Sequence, residues 1–294
     1  MAPERQPSPE PSPRSSLQPS RRSFLTAGGA AALSLAGLSA AGLAGADGAL
    51  ASTVPGGGWT TNPTAPYLRP RPLDISGLGA ARQVIIATTS SWSEIHGTIE
   101  AWELVSGVWT RVMAPYNSNI GINGWVYGSQ RIQGDHKTPI GIYKLHTGFG
   151  RSPGPGTGLP YRQLTPGNYW AGDQSDPKTY NIFQITRPST AKWRTSQSEH
   201  LYYIQPAYQY VIAIDYNLAG GQHFQSDGQV VATTPANTRL GSAIFLHCYG
   251  TTGPNGYTLG CVNTHSSKIL QLLSWLDPAK APVIAMGPTS ALFA

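Results

Sequence analysis

One stretch near the carboxyl end constrains this chain most, because it joins an apolar strand to a cysteine that follows a glycine. Residues 243–246 (AIFL) are apolar and favour extended backbone, so they predict a short buried strand that delivers His247 at its end. Three glycines and a proline in residues 249–257 predict a loop that turns the chain back. Gly260 then precedes Cys261, and a residue without a Cβ lets another group approach the backbone closely.

This arrangement predicts a nucleophilic site. A cysteine attacks a carbonyl only as its thiolate, so it needs a base or a cation nearby. His247 is the candidate base for Cys261, because only this histidine combines a buried strand with a following Gly-Cys turn. For the other histidines a packing or solvent-facing role is expected; they are His96, His136, His146, His200, His223 and His265.

The same residues resemble a known signature. A histidine that ends a strand, followed after a loop by Ser/Thr-x-Gly-Cys, resembles the YkuD-type L,D-transpeptidase catalytic domain, with matching positions His247, Thr258, Gly260, Cys261, Val262 and Asn263. Two positions depart from the pattern: Leu259 stands where many members carry His or Arg, and Cys248 where Ser or Gly is common. The resemblance extends over roughly residues 83–287.

The resemblance implies a mostly β fold, a YkuD-like β-sandwich or mixed sheet with one or few helices. It implies an enzyme of peptidoglycan cross-linking, cell-wall organisation and cell shape that works as a monomer without cofactor or metal. Cys261 would attack a peptide stem to form a thioester with release of D-alanine, while His247 takes the thiol proton. Backbone amides near Leu259, Gly260 and Cys261 would stabilise the oxyanion, with Thr258 and Asn263 as further substrate-binding residues.

Three alternatives remain open. An L,D-carboxypeptidase would use the same residues but resolve the thioester with water. A non-catalytic wall protein could instead hold a Cys248–Cys261 disulfide, since an even cysteine count in an exported chain is typical of disulfides. Zinc bound by His247, Cys248, Cys261 and His265 is disfavoured, because adjacent strand residues point to opposite faces of a sheet.

The amino-terminal part predicts export. Residues 1–20 are rich in Pro, Ser and Arg, and the pair Arg21–Arg22 then directly precedes an Ala/Gly/Leu run to about residue 46. A twin arginine in this position is typical of a twin-arginine signal, with A-x-A cleavage sites at 44–46 and 49–51. An uncleaved membrane anchor is the alternative, since the run approaches the length of a span. The protein is therefore expected outside the cell, associated with the wall.

Composition divides the rest of the chain. Residues 47–80 are rich in Gly, Pro and Thr without periodicity and predict a flexible linker, and residues 81–288 predict the single catalytic domain. Removal of residues 1–46 would lower the net charge from +6 to +4. The basic residues are scattered, so no nucleic-acid partner is expected.

Two features predict further structure near the nucleophile. Ile269, Leu272, Leu273 and Leu276 follow helical spacing, with Ser266 or Thr264 as the N-cap and Asp277–Pro278 as the stop. This helix begins close to Cys261, so its dipole is expected to lower the thiol pKa. A backbone carbonyl from the loop 249–257 is expected to orient the imidazole of His247.

Overall fold

The computed structural model describes residues 71–156 and 158–293. Within them the strands are β1 (Gln83–Thr89), β2 (His96–Val105), β3 (Val108–Asn119), β4 (Trp125–Tyr127), β5 (Thr138–Lys144), β6 (Gly148–Gly150), β7 (Tyr161–Gln163), β8 (Tyr169–Ala171), β9 (Ile182–Gln184), β10 (Glu199–His200), β11 (Val211–Ala213), β12 (Gly220–Phe224), β13 (Val230–Thr234), β14 (Phe245–Cys248), β15 (Val262–Thr264) and β16 (Val283–Pro288). The helices are α1 (Ser266–Trp275) and α2 (Thr289–Leu292). The predicted mostly β fold is confirmed.

Eleven strands form one mixed sheet in the order β4-β5-β16-β1-β2-β3-β15-β14-β11-β6-β7. Strands β14 and β15 lie side by side and parallel, and residues 249–261 connect them. Strands β11 and β3 flank this pair, each antiparallel to its neighbour. The pair is therefore an interior part of the sheet.

The strand expected at residues 243–246 lies two residues further on, at β14. Ala243 has a φ of +56°, a left-handed conformation that does not continue a ladder. Its amide donates instead to Oδ1 of Asn181, at 3.0 Å. Because of this shift, His247 lies within β14, and the strands on both sides of β14 fix the direction of its side chain.

Alternate residues of β14 enter two different apolar cores. Leu246 and Cys248 belong to the helix-side core, which α1 covers with Ile269, Leu272 and Leu273. Phe245 belongs to the cleft-side core, made of Phe149, Leu164, Trp170, Leu201, Tyr208, Val211, Ala213, Phe245 and Cys261. Its ring lies 4.7 Å from that of Trp170, centroid to centroid, in an edge-on contact that aromatic rings favour. The sheet therefore separates the surroundings of the two cysteines.

Helix α1 follows the predicted apolar spacing, and Leu276 is its buried C-cap. The predicted N-cap was wrong: the cap is His265, whose Nδ1 accepts from the amide of Ser267 at 3.2 Å. An imidazole nitrogen accepts here as a Ser oxygen would, so the cap chemistry is retained by a less usual residue.

Residues 71–80, which the composition assigns to the linker, are folded against the sheet. Arg71–Asp74 forms a 3₁₀ helix, and Ile75 is buried together with Val84, Trp102 and other members of a third apolar cluster. The predicted signal segment and the linker up to residue 70 lie outside the described residues. In the described part of the chain, no helix has both the length and the apolar character needed to cross a bilayer.

Candidate active site

Strand register brings the predicted nucleophile and base to one face of the sheet. Leu246 pairs with Val262 and His247 with Asn263, so Cys261 lies beside Phe245. The amide of Phe245 approaches Sγ of Cys261 at 3.4 Å, and that sulfur donates to the carbonyl of Ala243 at 3.2 Å. Directly paired strand residues point to the same face, so His247, Cys261 and Asn263 share a side of the sheet.

The imidazole of His247 is held in one tautomer. Its Nδ1 lies 2.7 Å from the carbonyl oxygen of Cys248, which can only accept, so Nδ1 carries the proton and Nε2 does not. The orienting group is indeed a backbone carbonyl, but it belongs to Cys248 and not to the loop 249–257 as expected. Burial lowers the pKa of His247 to about 4, so the ring is neutral and Nε2 is a proton acceptor at neutral pH.

The thiol of Cys261 is protonated at rest. Burial raises its pKa to about 12, and the negative charge of Glu199 adds to this, while the Phe245 amide and Arg131 act in the opposite direction. The pKa of Cys261 is thus raised and not lowered as expected near the start of α1, because loss of hydration is the largest contribution. No hydrogen bond joins the imidazole and the thiol, both of which lie in the described part of the chain. The pair is a neutral thiol and a neutral base.

A hydroxyl network builds the turn that carries Cys261. The Thr258 hydroxyl donates to the carbonyl of Cys261 at 2.6 Å and accepts from the amide of Gly260 at 3.1 Å. The hydroxyl of Thr138 donates to the same carbonyl of Cys261 at 3.3 Å. Thr258 therefore holds the turn in shape. Since the Gly260 amide is occupied, the amides of Leu259 and Cys261 are the better candidates for oxyanion binding.

Gly260 is required by its surroundings. Its φ is +127°, and a Cβ at this position would lie 2.8 Å from Nη2 of Arg131 and 2.9 Å from the carbonyl oxygen of Lys137. Both the backbone conformation and the close approach exclude a side chain. The absence of a side chain at Gly260 thus leaves room for the guanidinium of Arg131 next to the turn that carries Cys261.

The other predicted residues differ in their exposure. Leu259 is 59% exposed and lines a cavity of about 310 Å³ together with Cys261. Asn263 is buried, and its Oδ1 has no hydrogen-bond partner among the described residues. A buried amide oxygen without a partner is unusual.

Arg131 is a residue of this cavity that the sequence analysis missed. Its guanidinium is buried: Nε donates to the carbonyl of Lys137 at 2.9 Å and Nη1 to that of Leu240 at 3.0 Å. A Cβ at Gly241 would overlap Nη1, so glycines at 241 and 260 flank the group on two sides. This cation supplies a fixed positive charge beside Cys261, in a protein whose Leu259 offers none.

Glu199 and Tyr208 are also new. The hydroxyl of Tyr208 donates to Oε2 of Glu199 at 2.6 Å, and its ring meets that of His247 edge-on at 5.4 Å between centroids. Glu199 lines the same cavity as Cys261, and burial raises its pKa to about 7. One sequence signal was present: Glu199 is the only acidic residue between Asp176 and Asp215.

An ion pair between Arg194 and Asp173 fixes the segment that forms one wall of the Cys261 cavity. Two nitrogens of Arg194 donate to the two carboxylate oxygens of buried Asp173, each at 2.7 Å, and they hold the pKa of that carboxyl far below its usual range. The segment that follows Arg194 includes Glu199. Trp170 forms another part of the wall.

Both cysteines are free thiols, in separate cores on the two sides of the sheet, which argues against the disulfide alternative. Within residues 71–156 and 158–293, no three His, Cys, Asp or Glu side chains converge into a set that could hold a metal ion.

Comparison with known proteins gives one strong match. The family model of the YkuD L,D-transpeptidase catalytic domain matches residues 99–284, a range that contains both His247 and Cys261. The helical cell shape determining protein Pgp2 from Campylobacter jejuni is similar in structure, with a TM-score of 0.33 and 14% identity. That match covers 74% of this chain and 55% of the Pgp2 chain. No curated protein is significantly similar in sequence.

Proposed function

The chain belongs to the YkuD L,D-transpeptidase catalytic domain family, and we propose that it cross-links peptidoglycan stems through a thioester on Cys261. The observation that carries this proposal is a thiol and a neutral, oriented imidazole on one face of the sheet, with the thiol at a cavity. The donor is a tetrapeptide stem whose third residue is a diamino acid, and the leaving group is its terminal D-alanine.

In this mechanism His247 acts as a general base. The raised pKa of Cys261 and the lowered pKa of His247 both disfavour a resting ion pair. Nε2 of His247 therefore takes the thiol proton as Sγ attacks the donor carbonyl, and passes it to the departing amine. The Cys261 side chain must rotate away from the Ala243 carbonyl for this step, because that carbonyl holds the thiol in the resting structure.

The positive charge of Arg131 supports the oxyanion indirectly. It lies behind Gly260 and favours negative charge on the adjacent turn, where the amides of Leu259 and Cys261 are the proposed oxyanion donors. Asn263, with its unpaired buried oxygen, is the proposed hydrogen-bond acceptor for a donor N–H.

We also propose that the protein is exported by the twin-arginine route and acts at the wall as a monomer. Arg21–Arg22 and the two A-x-A sites support this proposal. Mass spectrometry of the secreted protein should give an amino terminus near Asp47 or Ser52. An intact Arg21–Arg22 on the mature protein would instead indicate an uncleaved anchor.

Incubation with a carbapenem followed by intact-mass spectrometry tests the nucleophile. A thiol that attacks amide carbonyls also opens a strained lactam, so wild type should gain the mass of one drug molecule. Cys248→Ser should form the same adduct, and Cys261→Ala should form none. An adduct that persists in Cys261→Ala would show that the nucleophile has been misassigned.

A further inference from the structure

The cavity at Cys261 has a cation, Arg131, and an acid, Glu199, on its walls. Arg131 donates to two backbone carbonyls and lies 3.6 Å from the carboxylate of Asp135. Glu199 makes one side-chain hydrogen bond within the described residues, from Tyr208 to Oε2. Its Oε1 is therefore available to a group that enters the cavity.

The proposed reaction needs a second proton acceptor. An acceptor α-amino group has a pKa of about 7.7–8.0, so near neutral pH it is largely ammonium and has no lone pair for attack. It must lose one proton before it attacks the thioester and another afterwards. Nε2 of His247 can carry only one proton, and it must return that proton to Sγ of Cys261.

We propose that Glu199 is this second acceptor: its carboxylate takes a proton from the acceptor ammonium within the Cys261 cavity, an inference that rests on the proposed transpeptidase function. The free amine attacks the thioester carbon, and its second proton passes through His247 to Cys261. A C–N bond forms, the C–S bond breaks, the thiol is restored and Glu199 is left as the acid. In the first half-reaction, protonated Glu199 gives its proton to the departing D-alanine amine, which leaves as ammonium.

The surroundings of Glu199 suit this exchange. Burial raises its pKa to about 7, close to that of an amine, whereas an ordinary carboxyl near 4 is a poor partner for either transfer. The charged or titratable groups near it are Tyr208, Cys261, Arg131, His136 and His247. Of these, Tyr208 stabilises the ionised carboxylate by its hydrogen bond, and that bond alone limits the rise of the pKa.

The test is Glu199→Gln, assayed with two amine acceptors after the donor thioester has formed. Transfer to a peptide α-amine, which arrives as ammonium, should fall by about 10–100-fold. Transfer to hydroxylamine, which is already unprotonated at neutral pH, should stay within about threefold of wild type, as should the rate of carbapenem adduct formation. Glu94→Gln makes the same chemical change at a carboxyl outside this cavity and should alter none of the three rates.

Tyr208→Phe supplies a second variant that keeps the ring beside His247. Loss of its hydrogen bond raises the pKa of Glu199 further, so the pH limb of transfer to the peptide amine should move to higher pH. Glu199→Gln should lack this limb.

Each result decides between the proposals. Unchanged transfer to the peptide amine in Glu199→Gln would overturn the role of Glu199, and so would an equal loss with hydroxylamine and the carbapenem, which would indicate an effect on the thiol. A wild-type protein that forms no Cys261 adduct would refute the proposed nucleophile instead.

Discussion

The two cysteines of this protein are the same chemical group in two different regions. Cys248 points into the helix-side core, where its thiol meets the carbonyl of Tyr210 at 3.4 Å and burial raises its pKa to about 11. Cys261 points to the opposite face, and its pKa is raised to about 12. Neither thiol is ionised at neutral pH, so resting acidity does not distinguish them.

The difference lies in what surrounds each sulfur. Cys261 borders a cavity shared with Arg131 and Glu199, on the face that also carries the unprotonated Nε2 of His247. Cys248 is packed among apolar side chains. The comparison teaches that a buried thiol becomes a candidate nucleophile through an adjacent base and room for a substrate, and a low resting pKa is not required.

The largest effect on activity is expected when the two cysteines are substituted one at a time. Cys261→Ala is expected to lower D-alanine release from a tetrapeptide stem by about 10⁴-fold or more, since the covalent route is lost. Cys248→Ser should keep the rate within about threefold, because a hydroxyl can still donate to Tyr210. Chromatographic detection of released D-alanine measures both. Similar losses in the two variants would show that Cys261 is not the distinct nucleophile.

The next effect concerns the base. His247→Gln should slow acylation by about 10²–10⁴-fold, because the unprotonated Nε2 of His247 is the proposed acceptor of the thiol proton. His200→Gln is a suitable control, since His200 stacks on Tyr169 and lies in the separate three-stranded sheet β10-β8-β9. Stopped-flow acylation by a chromogenic β-lactam gives the rates. A His200 variant as slow as the His247 variant would move the base elsewhere.

Substitution of Arg131 should have a smaller effect on acylation, and it should change the reactivity of Cys261 but not that of Cys248. Arg131→Met removes a cation that lowers the pKa of Cys261 and that packs against Gly260. Acylation is therefore expected to fall by about 10–100-fold. Arg187→Met is the matched control, because Arg187 also donates to backbone carbonyls but lies outside the cavity.

Alkylation by iodoacetamide, followed by peptide mass mapping, separates the thiols in Arg131→Met. Cys261 should react more slowly than in wild type at every pH, while Cys248 should be unchanged. A change at both cysteines would mean that the substitution loosens the whole sheet.

The smallest effect is on the pH dependence of folding stability, and it has opposite signs at His247 and Glu199. The folded pKa of His247 is about 4, below its ordinary value of 6.5, so between these values the unfolded chain binds the extra proton and acidification destabilises the fold. The folded pKa of Glu199 is about 7, above its ordinary 4.5, so acidification through that window stabilises the fold. Each contributes at most about 3 kcal/mol, and in wild type they largely cancel.

Urea unfolding at pH 4.5 and 7 measures these terms. Relative to wild type, His247→Gln should gain stability on acidification and Glu199→Gln should lose it, whereas Cys248→Ser should follow wild type. Parallel slopes in all three would show that neither group is held in its predicted state.

Local pattern was sufficient for several parts of the fold. The composition of residues 83–89 favours the strand that forms there, because β-branched side chains dominate the segment, and the spacing of Ile269, Leu272 and Leu273 placed the apolar face of α1. The loop at residues 249–257 was also predictable from its glycines and proline; it lies between β14 and β15, whose register places His247 and Cys261 on one face of the sheet.

The chain order alone pointed to a candidate nucleophile and base, Cys261 and His247; only the tertiary structure decided their protonation states and surroundings. Arg131, Glu199 and Tyr208 come from distant segments, so no spacing rule relates them to Cys261. The protonation of the thiol, the carbonyl that orients His247 and the face on which each cysteine lies depend on burial and strand register. Burial is a property of the assembled sheet, and it raises the pKa of the Cys261 thiol, whereas the sequence alone suggested a lowering by the start of α1.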